Sequence, residues 1–394
     1  MNQKTNRLNQ LFLDLVALDA PSFAERPAAD AVIARLASLG LSVEEDGAAG
    51  LIGGQCGNLL CRVPANWALQ GAGDLAAPLL NSPAAQSAAA RLPFLLSTHL
   101  DTVEPCRGKQ VSLGEDGVFR SDGTTILGAD DYAGVAAILE AVHRLHDKPV
   151  PHRALELLFS VAEEAHLQGI NQFDCSTLQA VEGYVLDTSG SPGIGIVAAP
   201  GHNHLIFAIT GRAAHAGIAP ETGISAIRVA AQGIAAMKLG RIDEQTTANI
   251  GEINGGGATN IVAEHCTVTA ECRSLDAIRL EEQTQQMCQA MQQAADDFGA
   301  TLTITRHTSY HPYQVDPDEP VARRFRAACQ AVGLTAHLKT TGGGSDLNVL
   351  ARSGLKGMVL SCGMMQVHST QEFLVADDLQ RLADLVSALV ISDI

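Results

Sequence analysis

The sequence predicts an α/β protein. A mostly parallel sheet domain, discontinuous along the chain, is interrupted by a ferredoxin-like α+β module. Three observations lead there. Apolar runs of strand length (FLLSTH, RALELLFSV, GYVLDT) alternate with segments of helical period, the mark of a parallel sheet with helices on its faces. Between about residues 197 and 308 the order becomes β-α-β-β-α-β, which is the ferredoxin-like pattern. After residue 309 the strand–helix style returns. The first domain is therefore expected over 1–196 and 309–394, and the inserted module over 197–308.

Element by element, two helices open the chain. The second, residues 25–39, carries Val32, Ile33, Leu36 and Leu39 at helical spacing and stops at Gly40. Short strands follow at LSVEE and GNLLCRV. Residues 64–91 are rich in Ala, Pro, Gly and Ser with neither period, and read as an inserted surface loop. FLLSTH is then a strand, Tyr132 to Leu145 a helix with Val135, Ile138, Leu139 and Val142 on one face, and RALELLFSV and GYVLDT are further strands. In the module, the strand HLIFAITG leads to a helix at 224–239 and strands near 247–253 and 264–273. A long helix at 276–298 and the strand TLTITRH complete it. A helix near 318–331, the strand GMVLSC and a helix near 376–390 close the chain.

The 394 residues suffice for two domains, and 46% apolar content with only 4% aromatics suits an Ala-, Leu- and Val-filled α/β core. A formal charge of −17 argues against nucleic acid or an anionic membrane as partner, because phosphate binding needs clustered cations. The nine cysteines form no CxxC pair, and MNQKTNRLNQLFLDL lacks the apolar core of a signal peptide. No apolar run approaches the roughly 20 residues of a membrane span. A soluble cytoplasmic protein with reduced thiols is expected.

Ligand sites in open parallel sheets lie beyond the carboxyl ends of the strands. The residues that end apolar runs here are His99 and Asp101 after FLLSTH, Glu163 and Glu164 after LELLFSVA, Asp187 in GYVLDT, and His368 beyond MVLSC. Asp130 and Asp131 precede the helix at Tyr132. Singly, each is commonplace: a core histidine, a solvated turn, a helix cap. Together on one sheet edge they form a mixed N/O set suited to zinc or a similar divalent ion. Two histidines imply two metals, with Glu164 and Asp187 as terminal ligands and Asp130 as a bridge. Two such ions can share a water and lower its pKa toward neutrality. In an extended segment neighbouring side chains point to opposite sides. If Glu164 binds metal, Glu163 is free to face that water as general base. Asp101 would accept the other ring N–H of His99 and fix its tautomer.

HLDTV, GADDYAG, AEEAHLQG, the Asp of VLDTS and HSTQEF resemble, in that order, the motif series of the dinuclear zinc peptidases. That family includes peptidase T, carboxypeptidase G, the aminoacylases and succinyl-diaminopimelate desuccinylase. The resemblance covers nearly the whole chain. It implies that His99, Asp130 and Asp187 hold one ion and Asp130, Glu164 and His368 the other, with zinc first and cobalt or manganese as alternatives. It further implies that the module is a lid and dimerisation domain, and hence a homodimer. His215 of GRAAHAG would reach the neighbouring subunit's site to stabilise an oxyanion. Asn260 of ATNIVAE and Arg273 of TAECRSLD would anchor substrate, as would Gly343, Gly344 and Asp346 of TGGGSDLN. ILGADD, and Asp187 where other branches carry Glu, are similar to peptidase T and imply hydrolysis of short peptides with a free amino end. Tyr132 stands where the family usually has a basic residue, and His166 where it usually has glycine.

Other readings of the same residues differ in their consequences. An N-acyl amino acid amidohydrolase would share the metal site, although Asp187 counts against it. A non-catalytic metal- or peptide-binding relative need not keep Glu163. TGGGSD lacks the Lys of a P-loop, GxSxG does not occur around Ser345, and HExxH is absent.

Overall fold

The computed structural model describes residues 6–71, 79 and 82–391. The chain divides into two compact units: Met1–Val197 with Val315–Thr340 and Ser345–Ile394, and Ala198–Gln314 with Thr341–Gly344.

Four parallel strands form the middle of the first unit's sheet, in the order Leu155–Ser160, Phe94–His99, Glu182–Thr188, Lys356–Ser361. Antiparallel strands flank them: Val43–Glu45 and Leu59–Val63 on one side, Ile194–Ala199 on the other. Every residue of Phe94–His99 and Leu155–Ser160 is buried, as expected of strands covered on both faces. The register sets His99 beside Ser160, and Thr188 pairs with Ser361. Four chains therefore leave the sheet along one edge, which fixes where a site can form.

The Ala129–Asp147 helix is buried continuously from Ala129 to Val142. An amphipathic helix was the sequence expectation. The difference arises because Arg7–Val16 and Ala376–Ile391 cover the side that the sheet leaves open. Its polar residues are paired accordingly: Arg7 Nε donates to Glu140 Oε2 at 2.9 Å, and Arg144 Nη1 to Asp384 Oδ1 at 2.7 Å.

The stretch expected as a surface loop, 64–91, contains the helices Trp67–Gly71 and Pro83–Ala90. Alanine favours helix without any apolar period, and Ser82 caps the second helix by accepting from the Ala85 N–H at 3.2 Å. The rest of that expectation, at 72–78 and 80–81, lies outside the described residues. Elements that carried too weak a signal to be read include the strands Ile194–Ala199 and His337–Thr340, the helices Ala48–Ile52 and Asp346–Arg352, and a four-stranded sheet in the order Met364–Met365, Phe373–Val375, Val118–Ser121, Val111–Leu113.

The second unit is a five-stranded antiparallel sheet in the order Gly240–Arg241, Thr246–Gly255, His265–Ser274, Gly201–Thr210, Thr301–Tyr310. Its helices, Ala226–Ala236 and Ala277–Phe298, share one core with the sheet through Phe207, Val229, Val268, Met287 and Met291. Burial alternates along His265–Ser274, the period-2 signature of a sheet with one covered face.

Gly134 marks a close contact between the Ala129–Asp147 helix and the sheet. A Cβ there would lie 2.8 Å from Leu186 O, 2.8 Å from Thr98 Oγ1 and 2.7 Å from Asp131 Oδ1. Gly→Ala inside an exposed helix stabilises by about 0.5–1 kcal/mol. Here overpacking should reverse the sign and destabilise by about 1–3 kcal/mol. Urea unfolding of Gly134→Ala measures it, and a variant more stable than wild type would contradict the packing.

Candidate metal centre

The strand Phe94–His99 delivers His99 to the sheet edge, and its imidazole is 1% exposed. His99 Nε2 lies 3.2 Å from Asp130 Oδ1 and 3.7 Å from Asp187 Oδ1. His368 Nε2 lies 3.2 Å from the other Asp130 oxygen, Oδ2, and 2.8 Å from Glu164 Oε1. Asp130 thus offers one carboxylate oxygen to each histidine. The ligand atoms of His99, Asp130 and Asp187 lie within 4.8 Å of one another, as do those of Asp130, Glu164 and His368, and those of His99, Glu163 and Glu164.

These groups fit metal ions better than they fit each other. Each histidine Nε2 faces two carboxylate oxygens, and a ring nitrogen has at most one proton to donate. Glu164 Oε1 is buried without a hydrogen bond of acceptable geometry, although His368 is close. The charges are strained as well. Burial, reinforced by Asp130 and Glu164, pushes Asp187 up to about 6 against its bond to His99. Burial and the neighbouring Asp187 raise Glu163 well above the usual carboxylate range. The bonds to Asp130 and Glu164 raise His368 to about 10. For His99, burial acts downward, but its contacts with Asp101, Asp130 and Asp187 prevail and raise it. Divalent cations among these carboxylates would let all of them ionise with the histidines neutral.

Asp101 holds this arrangement in a way the sequence does not reveal. The expected contact of the His99 ring with the Asp101 side chain is present, Nδ1 to Oδ1 at 3.4 Å, and the same nitrogen lies closer still to the Asp101 backbone, 3.0 Å from O. The carboxylate accepts from the backbone N–H of Glu163 at 2.9 Å, that of Glu164 at 3.1 Å, and the Ser22 hydroxyl at 2.6 Å. Nor is Glu163 separated from Glu164 by strand alternation, as the sequence suggested. The strand ends at Ser160, Ala162 has φ +49°, and both glutamates sit on a turn. That turn closes against Gly169, where a Cβ would fall 1.9 Å from Val161 O, so only glycine fits.

Several further residues support the site. Glu25, fully buried, accepts from Phe23 N at 2.7 Å and Ala162 N at 3.0 Å, and burial raises it to about 7. Asp131 turns away from Asp130 and accepts from the Thr98 hydroxyl. Tyr132 is fully buried, its hydroxyl donating to Leu100 O at 3.1 Å, with the Lys109 amine 5.6 Å from its ring centroid. That departure from the family pattern is a packing residue beneath the site. His166, by contrast, is exposed, at φ +65°.

The other expected site residues fall into two groups. In the second unit His215 and Asn260 are exposed and adjacent, with Ala216 N donating to Asn260 O at 2.9 Å. Gly217 N donates to His215 Nδ1 at 3.2 Å. Arg273 is half-buried, pairs with Glu271 at 3.0 Å and donates to Gly342 O at 3.2 Å, so it meets the glycine run that includes Gly343. Gly344 is required by packing, since a Cβ would lie 2.3 Å from the Tyr310 ring. Asp346, expected at substrate, belongs to the first unit, is 1% exposed and accepts from the Ser160 hydroxyl. It lies beneath the sheet edge, where burial raises it to about 7.

Among the described residues no helix is long and apolar enough to cross a membrane. A peptidase dimerisation-domain model matches residues 197–298, and a peptidase family M28 model matches residues 83–216. An uncharacterised Bacillus subtilis protein, YqjE, is 36% identical over 99% of this chain and 98% of its own. The crystal structure of aminopeptidase PepT from Bacillus cereus is 36% identical with a TM-score of 0.87, covering 98% of this chain and 97% of that one. A Staphylococcus aureus tripeptidase structure is 34% identical with a TM-score of 0.88, again over 98% and 97%. With paired carboxylate–histidine clusters, a match to the peptidase dimerisation-domain model, and these relatives aligned over nearly their whole length, the chain belongs to the peptidase T-like M20 metallopeptidases, hydrolases of peptide bonds.

Proposed function

We propose that the chain is a zinc-dependent, homodimeric peptidase that hydrolyses short peptides with a free amino end. The observation that carries this reading is the Asp130 carboxylate, whose two oxygens each meet one histidine at 3.2 Å. The Bacillus cereus and Staphylococcus aureus proteins, aminopeptidase and tripeptidase by name, support the substrate class. His99, Asp130 and Asp187 would hold one ion, and Asp130, Glu164 and His368 the other. Zinc suits this imidazole and carboxylate set, and cobalt or manganese would be accepted by it. When bound, the ions supply Lewis acidity toward the scissile carbonyl and lower the pKa of a nearby water toward neutrality.

The protein's own groups do the rest. Glu163 takes a proton from the attacking water at its carboxylate and delivers it to the leaving amine nitrogen. Asp101 fixes the backbone from which Glu163 acts. Gly217 donates to His215 Nδ1, which leaves Nε2–H as the donor. In the homodimer the partner subunit's His215 would present it to the developing oxyanion. The dimerisation-domain match over 197–298 supports that assembly. Arg273, Asn260 and Gly343 would anchor substrate. The nine free cysteines suit a reducing cytoplasm.

Two results are expected. Incubated with zinc-loaded protein, a pool of di- and tripeptides and N-acyl amino acids should lose only the free-amino peptides. Glu163→Gln should lower kcat by about 10²–10⁴-fold, the usual worth of a positioned base, while still taking up metal. Mass spectrometry reads both; loss of the acylated compounds would make the protein a deacylase, and no turnover a binding protein. Second, zinc at a hundredfold excess over its Kd should stabilise the fold by about 2.7 kcal/mol per site. A thermal melt with zinc and with chelator measures this, and identical curves would contradict the metal centre.

A further inference from the structure

Glu372 lies four residues after His368 in HSTQEF and is 2% exposed. Its carboxylate reaches across the fold to the start of the Ala129–Asp147 helix. Oε2 accepts from the Gly128 N–H at 2.7 Å and Oε1 from the Asp130 N–H at 3.0 Å. These are N–H groups at a helix N-terminus, where nothing within the helix can bond them. A side chain at the N-cap usually serves. Here the N-cap is Gly128, at φ +84°, which has no side chain to offer. The backbone then departs from helix at Asp130 (ψ 100°) and Asp131 (φ −120°). The turn carrying the shared ligand is therefore held by neither its own cap nor regular helical geometry.

We infer that Glu372 is a positioning residue that caps this turn from a distant part of the chain and fixes the backbone from which Asp130 reaches both ions. The inference rests on the metal-centre reading above. A carboxylate suits the task because it offers an acceptor oxygen to each N–H, and charge strengthens both bonds. An amide would turn its NH2 toward one of the two donors. The same loop places His368 beside Asp130 and Glu164. Glu372 therefore locks a ligand-bearing loop to a ligand-bearing turn, so that the two move as one.

The test is a zinc titration of metal-free protein against a chromophoric chelator, for wild type, Glu372→Gln and Glu372→Ala. Glu140→Gln is the control, because Glu140 is also buried on this helix yet pairs with Arg7 and Arg144 away from the site. The Glu372 variants should bind zinc about 10–100-fold more weakly, as when a group that orients a ligand is lost, and Glu140→Gln should bind as wild type does. Circular dichroism melts of the metal-free proteins run alongside. If Glu372→Ala does not fold, Glu372→Gln decides. Wild-type affinity in Glu372→Gln, or an equal loss in Glu140→Gln, would overturn the inference. Wild-type protein that took up no zinc would overturn the metal-centre reading beneath it.

Discussion

The structure depends on one shared carboxylate. Asp130 faces His99 with one oxygen and His368 with the other, and these histidines come from segments almost 270 residues apart, at 99 and 368. Such a group must be held to within a fraction of an ångström, because a displacement that favours one histidine costs the other. Much of the surrounding architecture answers that demand. The four parallel strands end in register, the helix after Asp131 is buried continuously as far as Val142, and Gly134 lets that helix approach Leu186 and Thr98.

A recurring device is a buried carboxylate that accepts backbone N–H groups of a ligand-bearing turn. Asp101 takes those of Glu163 and Glu164, Glu25 takes that of Ala162, and Glu372 takes those of Gly128 and Asp130. Burying a charge is costly unless it is bonded, and burial pushes both Glu25 and Glu372 up to about 7. The return is rigidity where φ is otherwise unusual, as at Ala162 and Gly128. Residues without contact to a reacting atom can thus govern the reaction through the backbone.

Much of this was legible in the sequence, for identifiable reasons. The parallel strands announce themselves as short apolar runs, and the candidate ligands His99, Glu164 and Asp187 as polar residues at or just past the ends of such runs. The module's β-α-β-β-α-β order was equally open. What stayed hidden was backbone geometry. The left-handed Ala162 could not be read from AEE, so the two glutamates were assigned to opposite sides of a strand that had already ended. Asp101 is legible as a partner of His99, but its acceptance of the Glu163 and Glu164 N–H groups is not, because every sequence contains such groups. Glu372 stands inside HSTQEF, yet the role inferred for it depends on Gly128, 244 residues away in the sequence. The Ala-rich helix at 83–90 and the five-residue helix at 67–71 lack an apolar period to betray them.

Anomalous diffraction at the zinc edge, from crystals of zinc-loaded protein, would test the central claim most directly. Two peaks are predicted, one beside His99 and Asp187 and one beside His368 and Glu164, with the Asp130 carboxylate between them. A single peak, or zinc bound away from Asp130, would contradict the account.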